Sequence, residues 1–190
     1  MKTSIEAVVG TAADQIAALI GRASSTFAGI EYVTEVKTAA KFKHLTITKQ
    51  TRANVQLFGT LNQFTNVYKN AVMKAAKKAG ENLEDFVIQD TYFEHTDCYS
   101  IVEHKTNGKQ YLYCIYKKGA KSDYFIDGKA ATKDDVMEFL TPSAKAAMVS
   151  SKTHNKLNDV DHDVIIRTIA IDNIVSLTAG KQTLIFQEMD

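Results

Sequence analysis

"HLTITKQTRANVQLF", residues 44–58, decides the fold. Read with a period of two, Leu45, Ile47, Ala53, Val55 and Leu57 fall on one side, and Thr46, Thr48, Gln50, Arg52, Asn54 and Gln56 on the other. Alternation of this kind in a β-branched run marks a strand that lies with one face on a core. Lys49 and Thr51 interrupt the apolar side. The stretch is therefore a strand with one mainly apolar face and one polar, basic face.

The neighbouring segments extend this reading. "TFAGIEYVTEV" (26–36) has strand composition, whereas "LNQFTNVYKNAVMKAAKKAG" (61–80) changes to a helical period. Leu61, Phe64, Tyr68, Val72 and Ala75 share one side of that helix, lysines cover the remainder, and Gly80 supplies the stop. Before them, Thr11 and Asp14 stand in capping-box spacing and predict a short helix ending near Gly21. Strand-like composition resumes at "FVIQDTYFEH" (86–95), and "IVEHKTNGKQYLYCIYKK" (101–118) folds back on itself at Asn107-Gly108. "KSDYFIDGKA" (121–130) adds a strand and an Asp127-Gly128 turn. Thr132 and Asp135 start another short helix that Pro142 is expected to close. Residues 143–162 are expected to be a mobile connection, after which "DVIIRTIAIDNIVSL" and "QTLIFQ" form a C-terminal hairpin around "TAGK".

Six to eight strands and two or three short helices, in mainly antiparallel succession, are expected from this order. The fold class is α+β, a curved sheet or partly open OB-like barrel rather than an alternating parallel sheet. Residues 1–26 are read as an N-terminal helical extension and 27–190 as a single α+β domain.

A chain of 190 residues that is 45% hydrophobic can bury a true core. Its apolar runs, such as "VIIRTIAI" from Val164, are interrupted by charge and fall short of the roughly 20 residues a bilayer needs. A soluble protein without membrane association is expected. Glu6 and Asp14 break the apolar run a signal peptide requires. Cys98 and Cys114, both in strand-like runs, are expected to be reduced thiols of a cytosolic protein. The net charge of +1 conceals an asymmetry: residues 32–79 hold nine basic residues against Glu35 alone. A basic face of this kind attracts polyanions through counterion release, although exposed lysines are also ordinary surface residues.

Several chemical signals compete. Asp97 followed by Glu103-His104-Lys105 has the elements of a metal-dependent nuclease strand, but the pattern is short and common. His95, Cys98, His104 and Cys114 are zinc-type residues without the tight paired spacing of structural zinc. "DVDHD" (159–163) lacks the glycine and distal glutamate of an EF-hand loop. No phosphate loop, dinucleotide fingerprint, nucleophile elbow or H-E-x-x-H occurs. No metal, cofactor or catalytic residue is assigned, and the chain is read as a binding protein rather than an enzyme. Lys41, Lys43, Lys49, Arg52, Lys74, Lys77 and Lys78 are the candidates for phosphate contact, and Tyr99, Tyr111, Tyr113 and Tyr116 for base stacking. Cations that track phosphates beside aromatic faces that stack bases are what single-stranded nucleic acid requires. Tyrosine is also a common strand and core residue, and Tyr111 and Tyr113 share a face.

The succession "LTITKQTRANVQLFGTLNQFTNVYKNAV", "IVEHKTNGKQYLYCIYKK", "DYFIDGKAATKDDVMEFL" and "VIIRTIAIDNIVSLTAGKQTLIF" resembles a loose group of small tailed-bacteriophage proteins. The shared features are a basic threonine-rich strand, a Tyr/Asn-containing helix start, a hydrophobic-E-H-K hairpin, a Y-x-x-x-G turn and a C-terminal R-x-x-x-I/L-x-N-I strand. The resemblance covers roughly residues 27–187 and implies a phage origin. It implies that Glu103, His104 and Lys105 belong to a fold-defining hairpin, and it leaves the first 26 residues as an attachment or oligomerisation element. The expected function is non-catalytic binding of single-stranded DNA during phage replication or recombination in the host cytoplasm, with self-association. The alternative is an assembly component, a virion part or an inhibitor of a host factor, that binds protein and no nucleic acid.

Overall fold

The computed structural model describes residues 11–80, 92–117, 120–149, 155–157, 160–162 and 164–186. The expected strand over 86–91, the connection at 150–154, and Asp159 and Asp163 of the acidic run lie outside the described residues.

The 44–58 run forms β2 (Ile47–Leu57), in which Ile47, Thr51, Ala53, Val55 and Leu57 are buried as the alternation requires. β1 (Thr26–Glu35) pairs with β2 along its whole length. The other edge of β2 is shared. Its first half pairs with β6 (Lys121–Ile126), itself paired with β7 (Lys129–Ala131), and its end pairs with β5 (Gln110–Tyr116). β5 in turn carries β4 (Ile101–His104) and β3 (Phe93–His95) on one side and β10 (Ile165–Ala170) on the other. A single 3-10 turn, Ile171–Asn173, leads from β10 into β11 (Ile174–Ala179), which pairs with β1 and with β12 (Gln182–Ile185). Because consecutive strands β10 and β11 join the two sides of the sheet, the ten antiparallel strands curl into an OB-like half-barrel. A register shift between Glu31 and Tyr32 in β1 adds to the bend.

The concave side holds the main core: Ala28, Ile30, Ala53, Val55, Leu57, Leu112, Cys114, Ile169, Ile174, Leu177 and Leu184. Helix α1 (Ala12–Leu19) adds Ala13 and Ile16, with Ile20 just beyond it, to the same core. The capping box read from Thr11 and Asp14 is present. Helix α1, within the stretch read as an N-terminal extension, thus packs into the sheet's core. On the opposite face of β4 and β5 lies α2 (Leu61–Lys78), which buries Phe64, Tyr68 and Val72 against Phe58, Tyr99, Val102, Tyr113 and Ile115. Leu61, expected on that face, is 54% exposed, and Ala76 rather than Ala75 is fully covered. Gly80 follows the helix with φ +77°, the left-handed conformation a terminating glycine supplies without strain.

A third core sits at the far end of β2, on its concave side. Ile47 meets Val136 and Leu140 there, with Val36, Tyr124, Ile126 and Phe139 around them. Val136 lies in α3 (Lys133–Met137), which starts with the Thr132–Asp135 capping box, and Ala144 lies in α4 (Pro142–Val149). Pro142 therefore opens a helix instead of closing one: Thr141 Oγ1 accepts from Ala144 N at 3.2 Å, and a proline at the first helical position loses no hydrogen bond. Past it, β8 (Asn155–Leu157) and β9 (Val160–His162) form a small hairpin within the stretch expected to be a connection. No helix among the described residues is long and apolar enough to cross a membrane.

Candidate functional site

Going along β2 on its concave face, the residues are Ile47, Lys49, Thr51, Ala53, Val55 and Leu57. Ile47 belongs to the core under α3 and α4, and Ala53 to the main core. Lys49 and Thr51, which break the apolar row, form a polar saddle between the two. Strand pairing fills it from both sides: Thr34 and Tyr32 of β1, and Tyr124 and Ser122 of β6, stand opposite Lys49 and Thr51 respectively. Thr51 Oγ1 is 3.1 Å from Ser122 Oγ, and the Tyr32 hydroxyl is hydrogen-bonded to that of Tyr116 on β5. Arg167 on β10 stands opposite Cys114, hence on the same concave face, with its guanidinium 5.5 Å from the centre of the Tyr116 ring.

The electrostatics of the saddle are unbalanced. Burial holds the Lys49 ammonium below the ordinary lysine pKa, and the positive charges of Arg167 and then Lys133, at the start of α3, lower it further. No carboxylate lies within ion-pair distance of these three cations among the described residues; the described ion pair is Arg52 Nη2 to Asp123 Oδ2, 3.0 Å, on the other face of the sheet. Burial also raises Tyr116, an effect its Tyr32 hydrogen bond reinforces, and burial raises Tyr124. Both phenols stay neutral donors at neutral pH. Three cations, neutral hydroxyls and partly accessible aromatic rings make a surface suited to an anion attached to a flat ring.

The residues selected from sequence divide among several surfaces. Lys49 and Tyr116 are in the saddle. Arg52 alternates to the convex face, where Asp123 pairs with it and Glu31 accepts from Gln50. Lys74, Lys77 and Lys78 are exposed on α2, whose other side packs against the convex face of β4 and β5. Lys41 and Lys43 lie at the 3-10 turn Ala40–Phe42, with the Lys41 ammonium 5.0 Å from the Phe42 ring centre. Tyr99 and Tyr113 require correction as stacking platforms: both are less than 10% exposed, in the aromatic cluster around Phe64. The cause is that α2 covers the tyrosine-bearing face of β5. Tyr111, half-buried, packs edge-on against Phe93 beneath the Lys109 ammonium.

The hairpin's chemical candidates are also dispersed. Glu103 accepts from Gln110 at 3.2 Å and stands opposite Glu94, while Asp97 lines a separate hollow with Thr60, His95 and Tyr99. His95 stacks on Tyr99 at 3.8 Å and bonds its carbonyl through Nδ1. His104 bonds Thr106, and both cysteines are buried free thiols. No group of three His, Cys, Asp or Glu placed to hold a metal occurs among the described residues.

Sequence reasoning missed Arg167, Lys133 and Tyr32. Arg167 had a usable signal: it shares parity with Ile165 and Ile169 in an apolar strand, as Lys49 does in β2. A single cation on the apolar parity of two different strands marks a place where the core is interrupted. Comparison of the chain with protein-family models, curated proteins and solved structures found no match.

Proposed function

We propose that the protein is a non-catalytic single-stranded nucleic-acid-binding protein and that the saddle of the half-barrel is its binding surface. The observation that carries this reading is that Lys49 and Arg167 interrupt the apolar concave face beside Tyr32, Tyr116 and Tyr124, with the charge of Lys133 also acting on Lys49 and no carboxylate partner for these cations among the described residues. The scale of the site fits a single strand. Ile47 and Ala53, which bound it, are six residues apart, roughly 20 Å at ~3.3 Å per residue before their side chains and neighbours narrow the gap. Strand-borne oligonucleotide sites are also a recurrent use of OB-like sheets. The protein's proposed setting is replication or recombination in the host cytoplasm, a reading that the resemblance of the sequence to small tailed-bacteriophage proteins supports through phage origin alone.

The test is fluorescence anisotropy of a labelled 30-nucleotide strand and of its duplex, at two salt concentrations and without divalent metal. Preferential single-strand binding that weakens with salt is expected, with a log–log slope near −2 for about three phosphate-neutralising cations. A duplex preference, or no binding at micromolar protein, overturns the reading. The competing reading is a self-associating assembly component, which draws on the 62% exposed Phe27 ring of β1 with Lys117 above it. It predicts concentration-dependent oligomers in sedimentation and no oligonucleotide binding.

A further inference from the structure

A glycine inside a strand weakens it, and Gly29 lies within β1 without a backbone reason. Its φ is not positive, and all ten residues of β1 pair in register with β2. The register shift against β11 comes after it, between Glu31 and Tyr32. No close approach requires it either: a Cβ there would meet nothing nearer than Asn54 Oδ1, at 3.8 Å. With a bulge, a left-handed residue and a packed backbone removed as reasons, what remains is a ligand that lies against the bare strand.

A cavity of about 460 Å³ opens over this position, within the roughly 300–1,000 Å³ of small-molecule sites. It lies on the convex face of β11, β1, β2 and β6, and no residue of α2, which covers that face at β4 and β5, lines it. Ile30 and Ala53, whose side chains belong to the core, form its floor with Gly29. Cross-strand pairing sets the walls. Asn54 and Thr178 stand on either side of Gly29, Arg52 and Ser176 on either side of Glu31, and Lys121 beyond Arg52. Two residues along β1, on the same face, the Phe27 ring is 62% exposed. Lys117, whose ammonium is 5.6 Å from the centre of that ring, donates its backbone N–H to Asn54 O at 2.8 Å.

The lining selects the ligand. Its charges balance, Arg52 and Lys121 against Glu31 and the Asp123 that pairs with Arg52 at 3.0 Å, so an anion is given no advantage. Its polar groups both donate and accept: the Asn54 amide, the Ser176 and Thr178 hydroxyls, and a Glu31 carboxylate of which Gln50 occupies one acceptor position. An apolar molecule would leave these groups unpaired. A neutral sugar ring, with hydroxyls around its edge and an apolar face to lay on an aromatic side chain, satisfies both the cavity and Phe27. OB-like sheets carry oligosaccharides as well as oligonucleotides on their strands.

We propose that the convex cavity over Gly29 binds a ring of a neutral carbohydrate, its hydroxyls held by Glu31, Asn54, Ser176 and Thr178 and its apolar face against Phe27. The site is on the other side of the sheet from the saddle and does not depend on the nucleic-acid reading.

The test is an NMR titration of the full chain, observing its backbone amides, with maltotetraose, cellotetraose, mannotetraose and N-acetylchitotetraose, and with tetragalacturonate as the anionic counterpart. At least one neutral sugar is expected to give saturable shifts at millimolar concentration or below, centred on Gly29, Asn54 and Thr178. Gly29→Val, which fills the floor, and Asn54→Ala, which removes a polar partner, should each weaken that binding at least tenfold, while Lys77→Ala leaves it unchanged. Gly29→Ala should keep or raise the urea midpoint, since its Cβ makes only an ordinary contact; a lowered midpoint would return the glycine to a structural role and overturn the argument. Saturable binding of none of the four neutral sugars, tighter binding of tetragalacturonate, or sugar binding that survives both Gly29→Val and Asn54→Ala also overturns the proposal, and each of these results leaves the single-strand assay to be decided separately.

Discussion

An ammonium group half withdrawn from water beside two other cations destabilises the fold that contains it. Lys49 is in that position, and a methionine of similar length there removes the charge while keeping the packing. Lys49→Met is predicted to stabilise the free protein at neutral pH, read as a higher urea midpoint. Because the folded-state pKa lies below the unfolded value, the penalty is present at neutral pH and fades as pH rises toward the unfolded lysine value of 10.5. The advantage of Lys49→Met should shrink accordingly, and a variant less stable than wild type at neutral pH would contradict this account of the site. Cys114 works in the opposite sense. Burial pushes its thiol up to about 12 from 9.0, so the folded protein holds a proton that the unfolded chain releases above about pH 9. Stability from this group is complete below pH 9 and is lost as pH rises toward 12. Cys114→Val, close in size, should flatten the fall in urea midpoint between pH 9 and pH 11; an unchanged alkaline limb would show that another group governs it.

The elements show which parts of the fold were legible. β2 was, because its alternation is local, and so were the three N-terminal or turn signals at Thr11, Thr132 and Asp127-Gly128, where side-chain or backbone geometry is set within four residues. Asp127 at φ +49° and Gly128 at φ +82° adopt the left-handed pair that a two-residue hairpin requires. At Asn107-Gly108 only Gly108 has positive φ, and Asn107 instead accepts from Lys109 N through its side chain. Helix α4 is not legible in the sequence because a proline reads equally as a stop and, as in Thr141-Pro142, as the first position after a helix cap. What the sequence does not display is which face of β5 receives α2, and that choice buries Tyr99 and Tyr113. The role of α1 depends in the same way on contacts distant in sequence. Ile16 is fully buried in the main core, so Ile16→Ala is predicted to destabilise by about 2–5 kcal/mol; an effect under 0.5 kcal/mol would restore α1 to the status of an appendage. The joint between β2 and α2 is held against the loop after α1: Gln63 Nε2 donates to Arg22 O at 2.7 Å, and Gln63 Oε1 accepts from Gly59 N at 2.8 Å. A Cβ at Gly59 would come within 2.7 Å of Gly21 O, a backbone atom with little freedom to move. Gly59→Ala should therefore cost about 1–3 kcal/mol in the same denaturation assay, whereas a neutral result would mean that the joint is loose.

At the scale of the whole molecule, the basic tract of the sequence is not a basic face. Strand alternation sends Lys49 and Arg52 to opposite sides of the sheet, and the packing of α2 carries its lysines away from the concave side. The curl of the sheet then brings back what the sequence holds far apart, placing Arg167 of β10 on the same concave face as Lys49, where its charge and that of Lys133 act on the Lys49 ammonium. Total charge says little about such a site, because its cations are selected by strand parity and by closure of the half-barrel. The measurement that tests this most directly compares single-strand affinity, by anisotropy under fixed salt, for Lys49→Met, Arg167→Gln and a Lys74→Ala/Lys77→Ala/Lys78→Ala variant. The saddle account predicts that each of the first two weakens binding at least tenfold and that the triple substitution on α2 changes it less than threefold. Loss of binding in the triple variant with Lys49→Met unaffected would contradict it and move the nucleic-acid surface to the outer face of α2.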